Sequence, residues 1–311
     1  MWNGIRAQFM DRTGEHMVSI IIPTYKGEAH IVEAVLSVLQ QTYSDIEVIV
    51  VDDNGRGTEH QVKTQELLSG FSSDSRFYYI AHEKNKNGSA ARNTGIHASH
   101  GEYLGFLDDD DRFLPEKIER QVALFESLDE EYGLVYGSFR EQMTEKTFRT
   151  VQAEECDDFL FRFLCDEVIA CSSTVLIRRG VLSKVVEWDE TFRRHQDLEF
   201  FARVASMYKV AFVSEVCVEK RKLDRNTPNG KVYEDYHLHY MEKMKPIIEQ
   251  YSEEKQRYFY DHHYFEMGKM HIKSKNFARA LYWAGKSSRP IRMLGQFGAA
   301  TFDYLIRKSK G

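Results

Sequence analysis

Four consecutive carboxylates, Asp108–Asp111, follow directly on the apolar segment Tyr103–Leu107. The apolar segment predicts a buried β-strand, so the carboxylates lie just past the carboxyl end of that strand. Adjacent anions at the edge of a sheet repel one another and resist desolvation. A divalent cation relieves this repulsion, because Mg²⁺ and Mn²⁺ prefer carboxylate oxygens. Since open α/β sheets bind ligands beyond the carboxyl ends of their strands, the pattern predicts a metal site that faces a phosphorylated ligand.

Two more apolar segments end in polar residues that could belong to the same site. Val18–Pro23 is followed by Thr24 and Tyr25, and Ile46–Val51 is followed by an aspartate pair that ends at Asp53. A carboxylate at Asp53 can accept a hydrogen bond from a ring N–H of a nucleobase. The alternative interpretation of this aspartate is an Asx turn or a helix cap.

The first half of the chain alternates short apolar segments with helical patterns. The predicted strands are 18–23, 46–51, 77–80 and 103–107, and the predicted helices are 31–40, 58–69, 90–100 and 115–128. This alternation predicts an α/β fold with a doubly wound, mostly parallel sheet flanked by helices. Right-handed crossovers bring the carboxyl ends of these strands to one edge, where the three polar groups should converge.

The rest of the chain follows another pattern. Strands are expected at 133–137, 173–177 and 210–212 and a helix at 197–205, and the chain becomes helical from 231 onward. We therefore expect a flexible leader at 1–16, an α/β domain at 17–225 and a helical C-terminal extension at 226–311. Segment 291–305 has basic flanks. A helix packed on its neighbours is the first interpretation of it, and a peripheral membrane helix or a homo-oligomer contact is the alternative.

The composition excludes several classes of protein. A net charge of −6 and a pI near 6.1 argue against a general nucleic-acid binder. No apolar run reaches the roughly 18 residues that a transmembrane helix needs. The four cysteines, at 156, 165, 171 and 217, form no CxxC pair. We therefore expect reduced thiols in a cytoplasmic protein rather than a zinc site.

Five segments, in the same order along the chain, resemble the motifs of the family 2 glycosyltransferases, which have the GT-A fold. They are Val18–Tyr25, Val50–Asn54, Asn87–Gly95, Phe106–Asp111 and Gln196–Arg203. The resemblance covers residues 17–220. It implies an inverting, metal-dependent enzyme that moves a sugar from a nucleotide-sugar, expected to be a UDP-sugar, to a hydroxyl of a glycan or lipid-linked glycan in polysaccharide biosynthesis.

The resemblance also implies roles for individual residues. Asp197 would be the catalytic base, Asp110 the ligand of Mn²⁺ or Mg²⁺, and Asp53 the partner of the uracil N3–H. The family pattern is Asp-x-Asp-Asp, and its usually uncharged x position holds Asp109 here. That departure leaves open which carboxylate faces the ribose. The nucleotide-sugar contacts, besides Asp53, would be Pro23, Thr24, Tyr25, Gly88, Arg92, Asp108 and Asp109.

Several of these roles have structural alternatives. Asp197 could cap the amino end of the helix that follows it, and Asp111 could cap the helix near Pro115. Arg92 could form an ordinary ion pair of its helix rather than contact a phosphate. The residue types alone do not separate these interpretations.

Two other functions compete with glycosyl transfer. A nucleotidyltransferase could share the sheet and its acidic edge, but it normally carries a Gly-rich basic loop where this chain has Thr24–Glu28. A non-catalytic scaffold would act through the helical tail, but one half of a helical repeat cannot bury a solenoid core. We therefore expect an enzyme, a glycosyltransferase of the hexosyltransferase type.

Overall fold

A computed structural model describes residues 16–144, 147–221 and 230–297, and within them nine strands form one mixed sheet. The spatial order is β3-β2-β1-β4-β8-β6-β9-β5, and β7 pairs with β6. The strands are β1 Val18–Thr24, β2 Ile46–Asp52, β3 Phe77–Ala81, β4 Tyr103–Phe106, β5 Arg112–Phe113, β6 Tyr132–Gln142, β7 Phe148–Val151, β8 Val175–Arg178 and β9 Lys209–Lys220.

The first four long strands pair in parallel, as the alternation of strands and helices predicts. Val18 of β1 lies opposite Ile46 of β2 and Tyr103 of β4, so the three strands run in register. All seven residues of β2 are buried, which accounts for the apolar run Val48–Val51 within it. Because the strands are parallel, Thr24, Asp52 and the residues after Phe106 meet at one edge.

The second half of the sheet is mixed. β8 runs antiparallel to both β4 and β6, and β9 pairs in parallel with β6. Both β6 and β9 are longer than the sequence pattern predicts. The carboxyl-terminal ends of both strands carry polar residues such as Arg140 and Glu219, which form an ion pair across the two strands. These ends therefore lack the apolar pattern from which the strands were predicted.

Among the described residues up to 287 there are nine α-helices. They are α1 Ile31–Leu39, α2 Glu59–Leu68, α3 Gly88–Ala98, α4 Lys117–Glu126, α5 Phe159–Leu164, α6 Gln196–Ala205, α7 Gly230–Ile248, α8 Glu253–Lys273 and α9 Phe277–Lys286. The side chain of Asn87 caps α3 by accepting from Ala90 N, so this helix starts earlier than expected. Pro115 precedes α4 instead of lying in its first turn, which corrects the predicted start.

The described residues fall into two compact units. The first contains the sheet and runs to Phe163, then from Val168 to the end of β9. Its core combines Val and Ile residues of β1 and β2 with apolar residues of α1 and α4, among them Val35 and Phe125. The predicted leader at 1–16 lies outside the described residues except for His16.

The second unit contains Leu164–Glu167 and helices α7 to α9. Ala280 and Ala284 are buried together with Met293 and Phe297. Of the predicted segment 291–305, the structure describes only residues up to 297. None of the described helices is both long enough and apolar enough to cross a bilayer.

Candidate active site

The acidic segment after β4 is bonded to the end of the neighbouring strand β1. Thr24 Oγ1 donates a 2.6 Å hydrogen bond to Asp109 Oδ2, and the Tyr25 amide lies 3.3 Å from the same oxygen. Burial raises the pKa of Asp109 to about 7, and the neighbouring carboxylates of Asp110 and Asp108 add to the shift despite the hydrogen bonds. The side chain of Asp109 is therefore directed to β1.

Gly27 lies beside the hydrogen bond between Thr24 and Asp109, where there is no room for a Cβ atom. One added to Gly27 would lie 2.0 Å from Asp109 Oδ2 and 2.6 Å from Thr24 Oγ1. The glycine lets the backbone pass close to the bonded pair.

Asp111 is bonded to two residues that arrive from distant parts of the chain. Ser173 Oγ donates a 2.6 Å hydrogen bond to Asp111 Oδ2 and accepts one of 3.1 Å from Asp108 N. Lys220, the last residue of β9, forms an ion pair with Asp111. Burial raises the pKa of Asp111 to about 6, and Lys220 opposes this shift. These contacts replace the helix cap that was the alternative for Asp111.

Three of the four carboxylates are close enough to share a cation. One oxygen from each of Asp108, Asp110 and Asp111 lies within 4.8 Å of the others. Asp110 and Asp111 are buried and Asp108 is partly exposed. A set of hard oxygen donors at a sheet edge fits Mn²⁺ or Mg²⁺. Asp109 is not in this set, because its side chain is bonded to β1.

Arg92 connects the acidic segment to α6. Its Nη2 donates to Asp108 Oδ1 at 2.8 Å, and its Nη1 donates to Gln196 Oε1 at 2.9 Å. The guanidinium also lies over the ring of Trp188, 4.6 Å from the centroid. Arg92 is buried, and its ion pair is to a residue outside its own helix.

Asp197 is the second residue of α6 and is partly exposed. Its Oδ1 accepts from Leu198 N at 3.0 Å. Phe200 and Phe201, about one turn further along the helix, pack against the Trp188 ring. Burial raises the pKa of Cys171 to about 11, and Asp111 and Asp197 both contribute to that shift.

Asp53 lies at the same edge, and its carboxylate is engaged within the protein. Its oxygens accept hydrogen bonds of 2.8 Å from Asn85 Nδ2, Lys86 N and Asn87 N, and His82 Nδ1 lies 2.7 Å away. Asp53 therefore orders the loop that leads into Gly88 and α3. Its contact with a nucleobase stays a prediction.

The other predicted contacts lie around this edge. Pro23 and Thr24 end β1, and the Tyr25 ring that follows is 52% exposed and available to a ligand. Gly88 starts α3, facing Arg92 and Gln196. Sequence reasoning missed Ser173, Lys220, Gln196, Trp188 and Cys171 as parts of the site. Only Gln196 gave a signal, because it adjoins Asp197 in the last of the five motifs.

A second group of potential metal ligands lies in the helical unit. One atom each of Asp166, His262 and His263 lies within 4.8 Å of the others. His262 Nε2 is 3.1 Å from Asp166 Oδ2, and His263 Nε2 is 3.1 Å from the Leu164 carbonyl. Contacts within the protein therefore account for these two ring nitrogens.

Two solved structures show the same fold. Staphylococcus aureus TarS in complex with UDP-GlcNAc superposes with a TM-score of 0.59 at 16% identity, over 91% of this chain and 81% of TarS. The mannosyltransferase PcManGT of Pyrobaculum calidifontis, in complex with GDP-Man and Mn²⁺, gives a TM-score of 0.58 at 16% identity, over 96% of this chain and 86% of that one. These neighbours confirm the predicted GT-A fold.

Sequence comparison identifies the family. A glycosyltransferase of Rickettsia typhi is 31% identical over 223 residues, which are 68% of this chain and 66% of that protein, so the match spans about two thirds of its length. The amylovoran biosynthesis glycosyltransferase AmsB of Erwinia amylovora is 26% identical over 74% of this chain and 78% of AmsB. The model of glycosyl transferase family 2 matches residues 19–186. The chain belongs to glycosyl transferase family 2.

Proposed function

We propose that this protein is an inverting, metal-dependent glycosyltransferase that moves a sugar from a UDP-sugar to an acceptor hydroxyl. The observation that carries the proposal is a convergence at one sheet edge. The carboxylates of Asp108, Asp110 and Asp111 share that edge with the start of α6, where Asp197 lies, and Arg92 links the two.

Asp110 and Asp108 are the proposed metal ligands. Both belong to the set of carboxylates whose oxygens lie within 4.8 Å of one another, and Asp108, which Arg92 holds through Oδ1, is the partly exposed member of that set. A bound Mn²⁺ or Mg²⁺ would act as a Lewis acid on the diphosphate as negative charge develops there. Asp108 would then also lie near the ribose.

Asp197 is the proposed general base. An acceptor hydroxyl is far too weak an acid to ionise near neutral pH, so it needs a positioned carboxylate. The hydroxyl oxygen attacks the anomeric carbon, its proton passes to Asp197, and the electron pair of the sugar–phosphate bond leaves with the diphosphate. Attack from the side opposite the diphosphate inverts the anomeric centre.

The nucleotide would lie along the ends of β1 and β2. Tyr25 offers an exposed ring for the base, beside Pro23 and Thr24, and Asp53 stays the proposed partner of the uracil N3–H. The UDP-GlcNAc bound by TarS and the amylovoran biosynthesis named for AmsB support a UDP-sugar donor and a glycan acceptor. A lipid-linked glycan is a member of the same acceptor class.

The test is a panel of UDP-sugars incubated with the purified chain, with Mn²⁺ or with EDTA. We expect the wild type to release UDP from at least one donor with Mn²⁺ and not with EDTA. Asp197→Asn should release none, while its affinity for UDP with Mn²⁺, measured by calorimetry, stays at the wild-type value. Asp129→Asn is the matched control, because Asp129 is an exposed carboxylate before the amino end of β6, at the opposite edge of the sheet.

Two results would contradict the proposal. Full UDP release by Asp197→Asn would remove Asp197 as the base. Release of pyrophosphate instead of UDP, from a nucleoside triphosphate and a sugar phosphate, would identify a nucleotidyltransferase.

A further inference from the structure

Three residues of the segment Asn87–Asn93, which forms the cap and first half of α3, contact the chain between Trp188 and the first residue of α6. Asn87 Nδ2 donates to the Glu190 carbonyl at 2.8 Å. Asn93 exchanges hydrogen bonds with the Trp188 backbone, 2.9 Å to its carbonyl and 3.0 Å from its amide. Arg92 completes the set through Gln196. The Asn-Gly-x-x-x-Arg-Asn segment is thus bonded to the chain on which Asp197 is built.

Arg92 is the one member of this set that also reaches the acidic segment. The two Nη atoms of one rigid guanidinium contact Asp108 Oδ1 and Gln196 Oε1, and the Trp188 ring covers its face. A planar guanidinium can hold two acceptors in a fixed relation, whereas an ammonium group cannot reproduce that geometry. The separation between Asp108 and the start of α6 therefore depends on this side chain.

The space around Arg92 supports this role. A Cβ on Gly88 would lie 2.9 Å from Gln196 Oε1 and 3.1 Å from Arg92 Nη1. A side chain at the first residue of α3 would therefore crowd the contact between the two groups.

We propose that Arg92 is a positioning residue, which couples the donor-side carboxylate Asp108 to the base Asp197 through Gln196. This inference rests on the proposed function for the roles of Asp108 and Asp197, and it reassigns Arg92 from the nucleotide contact expected from the sequence. A displacement of about 1 Å between reacting groups can lower a rate roughly 100-fold, so a link of this kind acts on turnover more than on binding.

The decisive variants change the two ends of the link. Gln196→Ala removes the acceptor for Arg92 together with the 2.8 Å hydrogen bond from Gln196 Nε2 to the Phe192 carbonyl. Gln196→Glu keeps the acceptor and loses only that donor, whereas Arg92→Lys loses the planar fork and keeps Gln196. Gln65→Ala is the matched control, because it removes an exposed glutamine that accepts a side-chain hydrogen bond on α2. Each variant is measured for UDP release, for the affinity for UDP with Mn²⁺, and for amide exchange in α6.

We expect Gln196→Ala and Arg92→Lys to lower kcat about 10-fold or more, while Gln196→Ala leaves the donor KM within about 2-fold of wild type. Gln196→Glu should recover most of kcat. The double variant should lose no more than Arg92→Lys alone, because both changes break one link. Without any ligand, amide exchange at Glu199, which donates to the His195 carbonyl, should be faster in both single variants and unchanged in Gln65→Ala.

The outcomes separate the two proposals. If the wild type releases no UDP, the proposed function fails, and exchange at Glu199 alone still decides whether Arg92 positions α6. Unchanged exchange in Gln196→Ala and Arg92→Lys overturns the positioning role whatever the activity. So does a wild-type kcat in Gln196→Ala, or additive losses in the double variant.

Discussion

The Thr24 hydroxyl and the Asp109 carboxylate join the ends of β1 and β4 by a hydrogen bond of 2.6 Å. This contact accounts for the aspartate at a position that the family usually leaves uncharged. Burial and two flanking carboxylates raise the pKa of Asp109, while Thr24 and the Tyr25 amide stabilise its oxygen. The Asp109 carboxylate is thus accommodated by the end of β1, and it need not face the ligand.

The first prediction concerns the register of the acidic segment. Asp109→Asn should keep the affinity for UDP with Mn²⁺ within about 3-fold of wild type, because an amide can still accept from Thr24. Asp110→Asn should weaken that affinity by about 10-fold or more, because it removes an anionic metal ligand. Calorimetry with UDP, with and without Mn²⁺, measures both. Equal losses in the two variants would assign Asp109 to the metal as well.

The second prediction concerns Ser173. Ser173→Ala removes the donor to Asp111 and the acceptor for Asp108 N, so the acidic segment loses its fixed geometry. We expect the Mn²⁺-dependent affinity for UDP to fall about 10-fold, in line with the effect of removing a group that orients metal ligands. Ser172→Ala is the control, since Ser172 is equally buried but bonded to neither aspartate. Equal affinities in the two variants would show that Ser173 has no such role.

Part of this site could be predicted from the sequence, because some of its residues directly follow apolar strand segments. Thr24, Asp53 and Asp108–Asp111 each terminate an apolar strand, and parallel pairing necessarily brings such ends together. Ser173 and Lys220 reach Asp111 across 62 and 109 residues, through a strand order in which β8, β6 and β9 follow β4. Hydrophobic periodicity predicts which residues are buried, but it does not predict which strands pair. The sequence therefore did not identify Ser173 and Lys220 as partners of Asp111.

The third prediction concerns the helical unit, in which Glu234 is fully buried. It accepts hydrogen bonds from Arg279 Nε and Nη2 and from Trp283 Nε1, each at 2.7 to 2.9 Å, and His271 Nε2 lies 2.7 Å away. Although burial raises the pKa of Glu234, these partners outweigh it and hold the pKa at about 2. The unfolded value is about 4.3. Its contribution to stability is therefore complete above that value and is lost as the pH falls toward 2.

Amide exchange in α7 to α9 between pH 6 and pH 3 measures this dependence. The wild-type helices should lose protection as the pH falls, and Glu234→Gln should be less protected at pH 6 but show a flatter pH dependence. Asp235→Asn is the control, because the Asp235 carboxylate is exposed and forms an ion pair with Lys231. Parallel pH profiles for wild type and Glu234→Gln would contradict the assignment.

The last prediction separates stability from activity at Gly88. Alanine at a helical position normally stabilises a protein by up to about 1 kcal/mol relative to glycine. At Gly88 the added Cβ would press on Gln196 Oε1 and Arg92 Nη1, at 2.9 and 3.1 Å, and would part the two groups. Gly88→Ala should therefore keep or raise the melting temperature while it lowers kcat about 10-fold, the size expected when catalytic groups are displaced. Gly285→Ala in α9 meets no atom within 4 Å and should leave kcat unchanged. A Gly88→Ala enzyme with a wild-type kcat would mean that the contact between Arg92 and Gln196 does not govern the reaction.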